Sequence, residues 1–378
     1  MLKNAVMKNI LTLILLTLGL AASGQNRKIE FKPDNLNEAL TLAKAQHKVV
    51  FVDCYTSWCI PCKHMEANVF TVDTVADFFN STFINMKAEM DKDDRMKALG
   101  KTYNIGAYPS YLLLDGDGKL LFKFVGGMSA DAFMKKIRSG LKPNNEVAVM
   151  DERYESGDRS AGLLRDYALL KVRLQEIPLA KKIDEEFMDR VPLKQIVKKE
   201  NWALFGKNRY AMYLSEIDTR NFNFLADHWK EFAVENTKDT VDEKLASVYR
   251  KIASYALVGY YFKGHPYNKD DFEHYRKQIN ATDMPDKDQF LVLIDMADAA
   301  GKKDLDKVTD LMAKHISGFT EANRRITWDY FTFCSNNRNY KSPRIVEIAD
   351  LVIKATNNPY LVSTCEMYKK KYTPTDAR

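Results

Sequence analysis

The sequence predicts two architectures in succession: an α/β segment over residues 26–142, with a mixed central sheet and helices on both faces, then an all-helical segment over 146–378. Three observations carry this. Up to Leu141, short apolar runs rich in β-branched residues alternate with amphipathic stretches. Lys142-Pro143-Asn144-Asn145 then closes the pattern. Beyond it strand signals stop, and helical periods recur between short polar loops.

The first residues stand outside both segments. Lys3 and Lys8 give a positive start, Ile10 to Leu20 is an apolar run of 11 residues, and Ala22-Ser23-Gly24 supplies small residues before Gln25. That order predicts a signal peptide over 1–24, cleaved on export, and a periplasmic or extracytoplasmic location. The run is short for a membrane span, which needs about 20 apolar residues.

In the α/β segment, Asp34 is placed to cap a helix whose apolar face is Leu36, Ala39, Leu40 and Ala43. Val49 to Val52 reads as a strand buried on both faces. A helix starts near Cys59, and Asp73 is placed to cap another through Phe79. Thr82 to Ala88 reads as a second central strand, Asp91 to Tyr103 as a polar helix, and Tyr111 to Leu114 as a strand. Asp115-Gly116-Asp117-Gly118 is a hairpin turn, Leu120 to Val125 its returning strand, and Ser129 caps a last helix through Leu141. In the second segment, helical periods fall at 163–174, 180–188, 222–232, 241–261, 290–300, 305–316, 326–334 and 345–355. Their rhythm suggests helical hairpins, at most a degenerate tetratricopeptide-like array, because the residue signature of that repeat is absent.

Composition excludes more than it assigns. The formal charge of +6 falls to +4 without Lys3 and Lys8, and the charges are interspersed, so no basic stripe argues for nucleic acid. Five cysteines with an odd one over cannot be a disulfide framework. Cys59-Ile60-Pro61-Cys62 encloses a loop too short to constrain the unfolded chain much, so the pair is poorly placed for stapling and well placed for chemistry. A dithiol reaction needs one exposed, partly ionised sulfur and a second close enough to release the product. Cys59 falls where unpaired N–H groups and the helix dipole favour a thiolate. Cys62 lies a turn further along the same face, expected deeper and less acidic. Pro61 fits the first turn, which has no N–H bond to lose, and Trp58 is expected to shield the pair from the loop side.

Val52-Asp53 through Lys63 closely resembles the active-site segment of thioredoxin. Met65-Glu66 and Val69-Phe70 look more specifically like the C-terminal thioredoxin-like domain of transmembrane disulfide-bond reductases. The resemblance covers about residues 45–140. It implies a thioredoxin-like fold and thiol–disulfide oxidoreductase activity on exported proteins, as reductant or isomerase. It also implies roles. Cys59 attacks a substrate disulfide and Cys62 resolves the mixed disulfide. Asp53 is the buried acid that takes the Cys62 proton, with Lys87 its neighbour on the next strand. Tyr108-Pro109 matches the loop whose cis-proline faces the dithiol, and Gly126-Gly127 matches the glycine turn beside the substrate groove. Trp58, Ile60, Pro61, Tyr108 and Gly126 would meet the substrate, and Pro109 and its neighbours would offer backbone groups to an extended strand. The family implies no cofactor beyond the Cys59–Cys62 disulfide, and an upstream electron donor such as a membrane disulfide reductase. Ile60 stands where thioredoxins usually have glycine, and Tyr108 replaces a smaller residue; both leave the direction of electron flow open.

Other readings stay open. Zinc at Cys59 and Cys62 lacks a second ligand pair, with only His64 nearby, so no metal is expected. Strand alternation places Cys54 on the sheet face opposite Asp53, as core packing. Cys334 and Cys365 either pair or sit apart as buried thiols. Asp53 could be a strand-end turn residue, Lys87 an ordinary strand lysine, and Tyr108 plain packing. The tail aromatics fit a helical core, though stacked hairpins also offer a protein-binding face. The alternative function is therefore a helical protein-binding or chaperone-like adaptor with an accessory redox domain.

Overall fold

The computed structural model describes residues 27–33, 35–264, 266–337 and 339–373. The predicted signal peptide and Asp34 lie outside them. The chain divides into two compact units after Ile183.

In the first unit the elements are α1 (Leu36–Gln46), β1 (Val49–Tyr55), α2 (Ile60–Asn68), α3 (Asp73–Thr82), β2 (Phe83–Glu89), α4 (Asp94–Thr102), β3 (Ser110–Leu114), β4 (Leu120–Val125) and α5 (Ala130–Gly140). Then follow α6 (Glu146–Glu155), α7 (Ala161–Arg173) and α8 (Ile177–Arg190), the last running across the division. The sheet is mixed, in the order β2-β1-β3-β4, with β1 parallel to β2 and antiparallel to β3. Alternation along β1 sorts its side chains into two cores. Val50, Val52 and Cys54 pack with α1 and α4 residues such as Ala39, Ala43, Met96 and Leu99. Phe51 faces the other way, into an aromatic cluster with Phe79, Tyr111 and Phe133. That second face carries the helix that begins at the dithiol.

Local chemistry explains the element ends, with three departures from expectation. The cap of α1 is Asn35, whose side chain accepts the Glu38 N–H, so the expected cap at Asp34 is displaced by one residue. Asp73 is the first residue of α3 and not its cap; its carboxylate accepts the Arg27 N–H while sitting at the positive end of the helix. β2 borders the four-stranded sheet instead of lying centrally. Its side chains are buried all the same, because Ile84, Met86 and Ala88 pack under α1 and α4 while Phe83 packs on Phe78 and Phe79 of α3; on its outer edge the Lys32 N–H donates to the Asn85 carbonyl. The Asp115 turn and the Ser129 cap form as expected: the Asp115 carboxylate accepts two backbone N–H groups, and the Ser129 hydroxyl accepts that of Ala132. Asn145, read as part of a closing loop, in fact caps α6.

The second unit is largely helical. The period expected over 222–232 is two helices, Arg220–Asp227 and Trp229–Asn236, broken at His228. Lys269–Ala281, outside the helical periods read from the sequence, is charge-rich and buries Phe272, Tyr275 and Ile279, and Pro359–Tyr372, the helix that carries Cys365, opens on a proline. Among the described residues no helix is long and apolar enough to cross a membrane.

Candidate active site

Strand β1 ends at Tyr55, and a short loop delivers Cys59 to the N-cap position of α2. Cys59 and Cys62 form a disulfide. The Cys62 N–H donates to Cys59 Sγ at 3.1 Å, so a first-turn helical donor is already aimed at the sulfur that would carry charge when reduced. Cys59 is 3% exposed and Cys62 6%, so the expected order, an open Cys59 and a more shielded Cys62, does not hold in this oxidised form. Pro61 occupies the first turn as the sequence suggested.

Three further segments converge on this helix end. The Tyr108–Pro109 peptide is cis. The Trp58 ring meets the Tyr108 ring edge-on, with centroids 6.0 Å apart, although Trp58 remains 66% exposed. Trp58 thus pairs with the proline loop and leaves one face to solvent. The Gly126 N–H donates to the Pro109 carbonyl at 2.9 Å, and Gly126 has φ +104°, a conformation that favours glycine. A Cβ on the adjacent Gly127 would lie 3.3 Å from the Pro61 ring, so that turn sits against the dithiol helix. Met65 Sδ accepts the Met128 N–H across the same seam. Contacts thus link Trp58 to Tyr108, Pro109 to Gly126 and the glycine turn to Pro61, while Ile60, 78% exposed, projects away to solvent.

Asp53 is 3% exposed in β1, in register with Lys87 on β2 and Tyr111 on β3. Burial raises its carboxyl to about 7; the Lys87 ammonium opposes this and the Glu66 carboxylate adds to it. Lys87 is half-buried, bridges to Glu66 at 2.6 Å and lies over the Tyr55 ring, so it is not a free strand lysine. Glu66 was not singled out as a site residue. Its position was legible: it follows Cys62 by one helical turn, on the face turned to the sheet.

Cys54 belongs to the opposite core, as strand alternation required. Burial pushes its thiol far above the ordinary value, as the nearby Asp53 also does. Cys334 and Cys365 are separate buried thiols, raised by burial to about 11 and about 12. Among the described residues no three His, Cys, Asp or Glu side chains converge as metal ligands would.

A second polar cluster was invisible to the sequence reading. Lys123 in β4 is fully buried and pairs with Glu176 at 2.9 Å; Glu176 in turn meets Lys171 at 3.3 Å.

Residues 36–140 match the family model of the thioredoxin-like domain. Over 107 residues the chain is 32% identical to the thiol:disulfide interchange protein DsbD of Escherichia coli strain K12, covering 28% of this chain and 19% of that protein. Over 110 residues it is 28% identical to the DsbD of Haemophilus influenzae, covering 28% of this chain and 19% of that protein. The chain thus spans about a fifth of the length of these curated relatives. Among solved structures, a protein from Bacteroides thetaiotaomicron provisionally named a disulphide-isomerase is 37% identical, with a TM-score of 0.30, over 32% of this chain and 98% of that one.

Proposed function

Since residues 36–140 are a thioredoxin-like domain of the thiol–disulfide oxidoreductase kind, we propose that the chain exchanges disulfides with exported proteins outside the cytoplasm, as reductant or isomerase. One observation carries the reading: a disulfide whose Cys59 caps a helix, ringed by the cis-proline loop and the glycine turn, with a buried acid titrating near neutrality behind it.

The chemistry follows from these parts. In the reduced enzyme the Cys59 thiolate attacks one sulfur of a substrate disulfide, forming a mixed disulfide and expelling the other sulfur as a thiolate that takes up a proton. Cys62 then loses its proton, for which Asp53 is the acceptor, and attacks Cys59 Sγ. The mixed disulfide breaks, the reduced substrate leaves, and the Cys59–Cys62 disulfide remains. The backbone of the Tyr108–Pro109 loop meets the substrate strand, Gly126 holds that loop from its other side, and Trp58, Pro61 and Tyr108 set the groove wall. Turnover requires an external dithiol donor, which we assign to a membrane disulfide reductase; no cofactor beyond the disulfide is invoked. Cys62→Ser is the test. The variant should retain client proteins as mixed disulfides on Cys59, identifiable by mass spectrometry. Capture of nothing, together with unchanged disulfide reduction by Cys59→Ser, overturns the reading.

A second reading, the helical region as a protein-binding adaptor, is favoured by a cavity of about 570 Å³ lined by Met212, Glu216, Lys251, Tyr255, Tyr260 and Tyr261. Met212 and Tyr260 are largely exposed there. If that reading holds, Met212→Ser with Tyr260→Ala leaves reduction of a small disulfide unchanged but abolishes client capture by the Cys62→Ser trap. Equal capture dismisses it.

A further inference from the structure

The polar cluster at Lys123 sits at the root of the cis-proline loop. Lys123 Nζ has three donors, and all three are used: to the Tyr103 carbonyl at 3.0 Å, the Asn104 carbonyl at 2.6 Å and Glu176 Oε1 at 2.9 Å. The first two acceptors end α4, where helical carbonyls lack partners of their own. From Asn104 the chain runs through Ile105, Gly106 and Ala107 to Tyr108-Pro109. Gly106 touches the same turn that carries Glu176. A Cβ placed there would stand 2.3 Å from the Gln175 carbonyl oxygen, a distance that forces backbone to move.

That turn is itself held. The Glu176 N–H donates to the Lys171 carbonyl and the Gln175 N–H to that of Val172. Lys171 Nζ reaches Asp151 at 2.9 Å, whose carboxylate also accepts the Tyr167 hydroxyl at 2.6 Å. A buried ion pair is a weak way to add stability, since desolvating both charges offsets much of their attraction. Its three-way grip on the start of a substrate loop points instead to placement.

We propose that Glu176 and Lys123 are positioning residues, through which the α7–α8 turn holds the Tyr103–Tyr108 segment and so sets how a protein strand docks beside Pro109. This rests on the redox function proposed above. It makes recognition of extended protein substrates, and not exchange with small disulfides, dependent on helices that follow the thioredoxin-like domain.

The test uses the full chain with Glu176→Gln and Gly106→Ala, and insulin and a small aromatic disulfide as substrates. In both variants KM for insulin should rise about fivefold, while kcat and the small-disulfide rate stay within about twofold of the parent. Native-state hydrogen exchange at Asn104 and Ile105, whose amides donate to Lys101 and Gly100, should quicken about tenfold more than at the β1 amides, which report the loss of stability of the whole unit. The double variant Lys123→Met/Glu176→Met fills the core without charge but loses the grip on both carbonyls, so its KM stays raised. The proposal is overturned if exchange at Asn104 and Ile105 quickens only in proportion to that of the β1 amides. It is equally overturned by a parental KM in the double variant, or by insulin and small-disulfide rates falling in the same proportion. Should the parent reduce neither substrate, the redox function fails, and the exchange experiment still decides the placement.

Discussion

Asp53 shows how a single buried group shapes both chemistry and stability. Its carboxyl titrates near 7 in the fold against 3.8 in the open chain, because burial disfavours the charged form more than Lys87 restores it. The folded state therefore keeps a proton that the unfolded state has already lost. Stability must fall as pH rises from about 4 to about 7, by an amount on the order of 4 kcal/mol at full effect. Asp53→Asn removes this loss: its denaturation midpoint should exceed the parent's at pH 8 and approach it near pH 4. The same variant should slow release of substrate from the mixed disulfide and lose the inflection near pH 7 in that step, read by quenched-flow trapping. The thiols divide just as sharply. Cys54, Cys334 and Cys365 are all buried, and burial suppresses their ionisation, whereas Cys59 sits at the N-terminus of α2, where a helical N–H favours its thiolate once reduced. Alkylation of the reduced native protein should add two adducts by mass, and all five cysteines of the chain should react only after denaturation.

At the scale of elements, packing overrides propensity in a place that can be tested. Gly140 ends α5, where helix propensity alone would favour alanine by about 1 kcal/mol. A Cβ there would lie 2.2 Å from the Phe122 ring, inside the aromatic core. Gly140→Ala should therefore destabilise the protein by roughly 1–3 kcal/mol in urea titration, against the sign that propensity predicts. The strand arrangement follows the same logic. The continuous apolar run Val49–Val52 was readable as a doubly buried strand, and it pairs on both sides. The flanking strand at 83–89 carries a similar run, yet it borders the sheet, because helices covering both faces leave the same apolar mark on a border strand as on a central one. Lys269–Ala281 went unread for the opposite reason. Its three buried apolar positions are diluted by charges that face solvent.

At the scale of the molecule, each unit encloses its own core, so the chain is not expected to unfold in one all-or-none step. Calorimetry should give a van't Hoff enthalpy below the calorimetric one, and Asp53→Asn should move only the transition of the unit that contains it. Glu176→Gln should act on that same transition. Taking the charge from Glu176 leaves Lys123 buried against neutral partners, a loss that reaches about 3–5 kcal/mol when one member of a buried pair is removed.

The residues themselves determined the chemistry of this protein. A Cys-x-x-Cys at a strand-to-helix junction, an acid at the end of the preceding strand, and a proline and a glycine pair further on are local patterns. Strand alternation and helical spacing then say which side chains share a face, so Asp53, Cys59, Cys62, Pro109 and Gly126 could be picked out as a candidate site without coordinates. The pairing of Glu66 with Lys87, the partial enclosure of Cys59 and the grip of Glu176 on Lys123 were decided only by the tertiary structure. Each joins residues far apart along the chain, and no periodicity records which distant charge a buried lysine will meet. Such contacts are chosen by the cost of leaving a charge unpaired once the chain has closed around it.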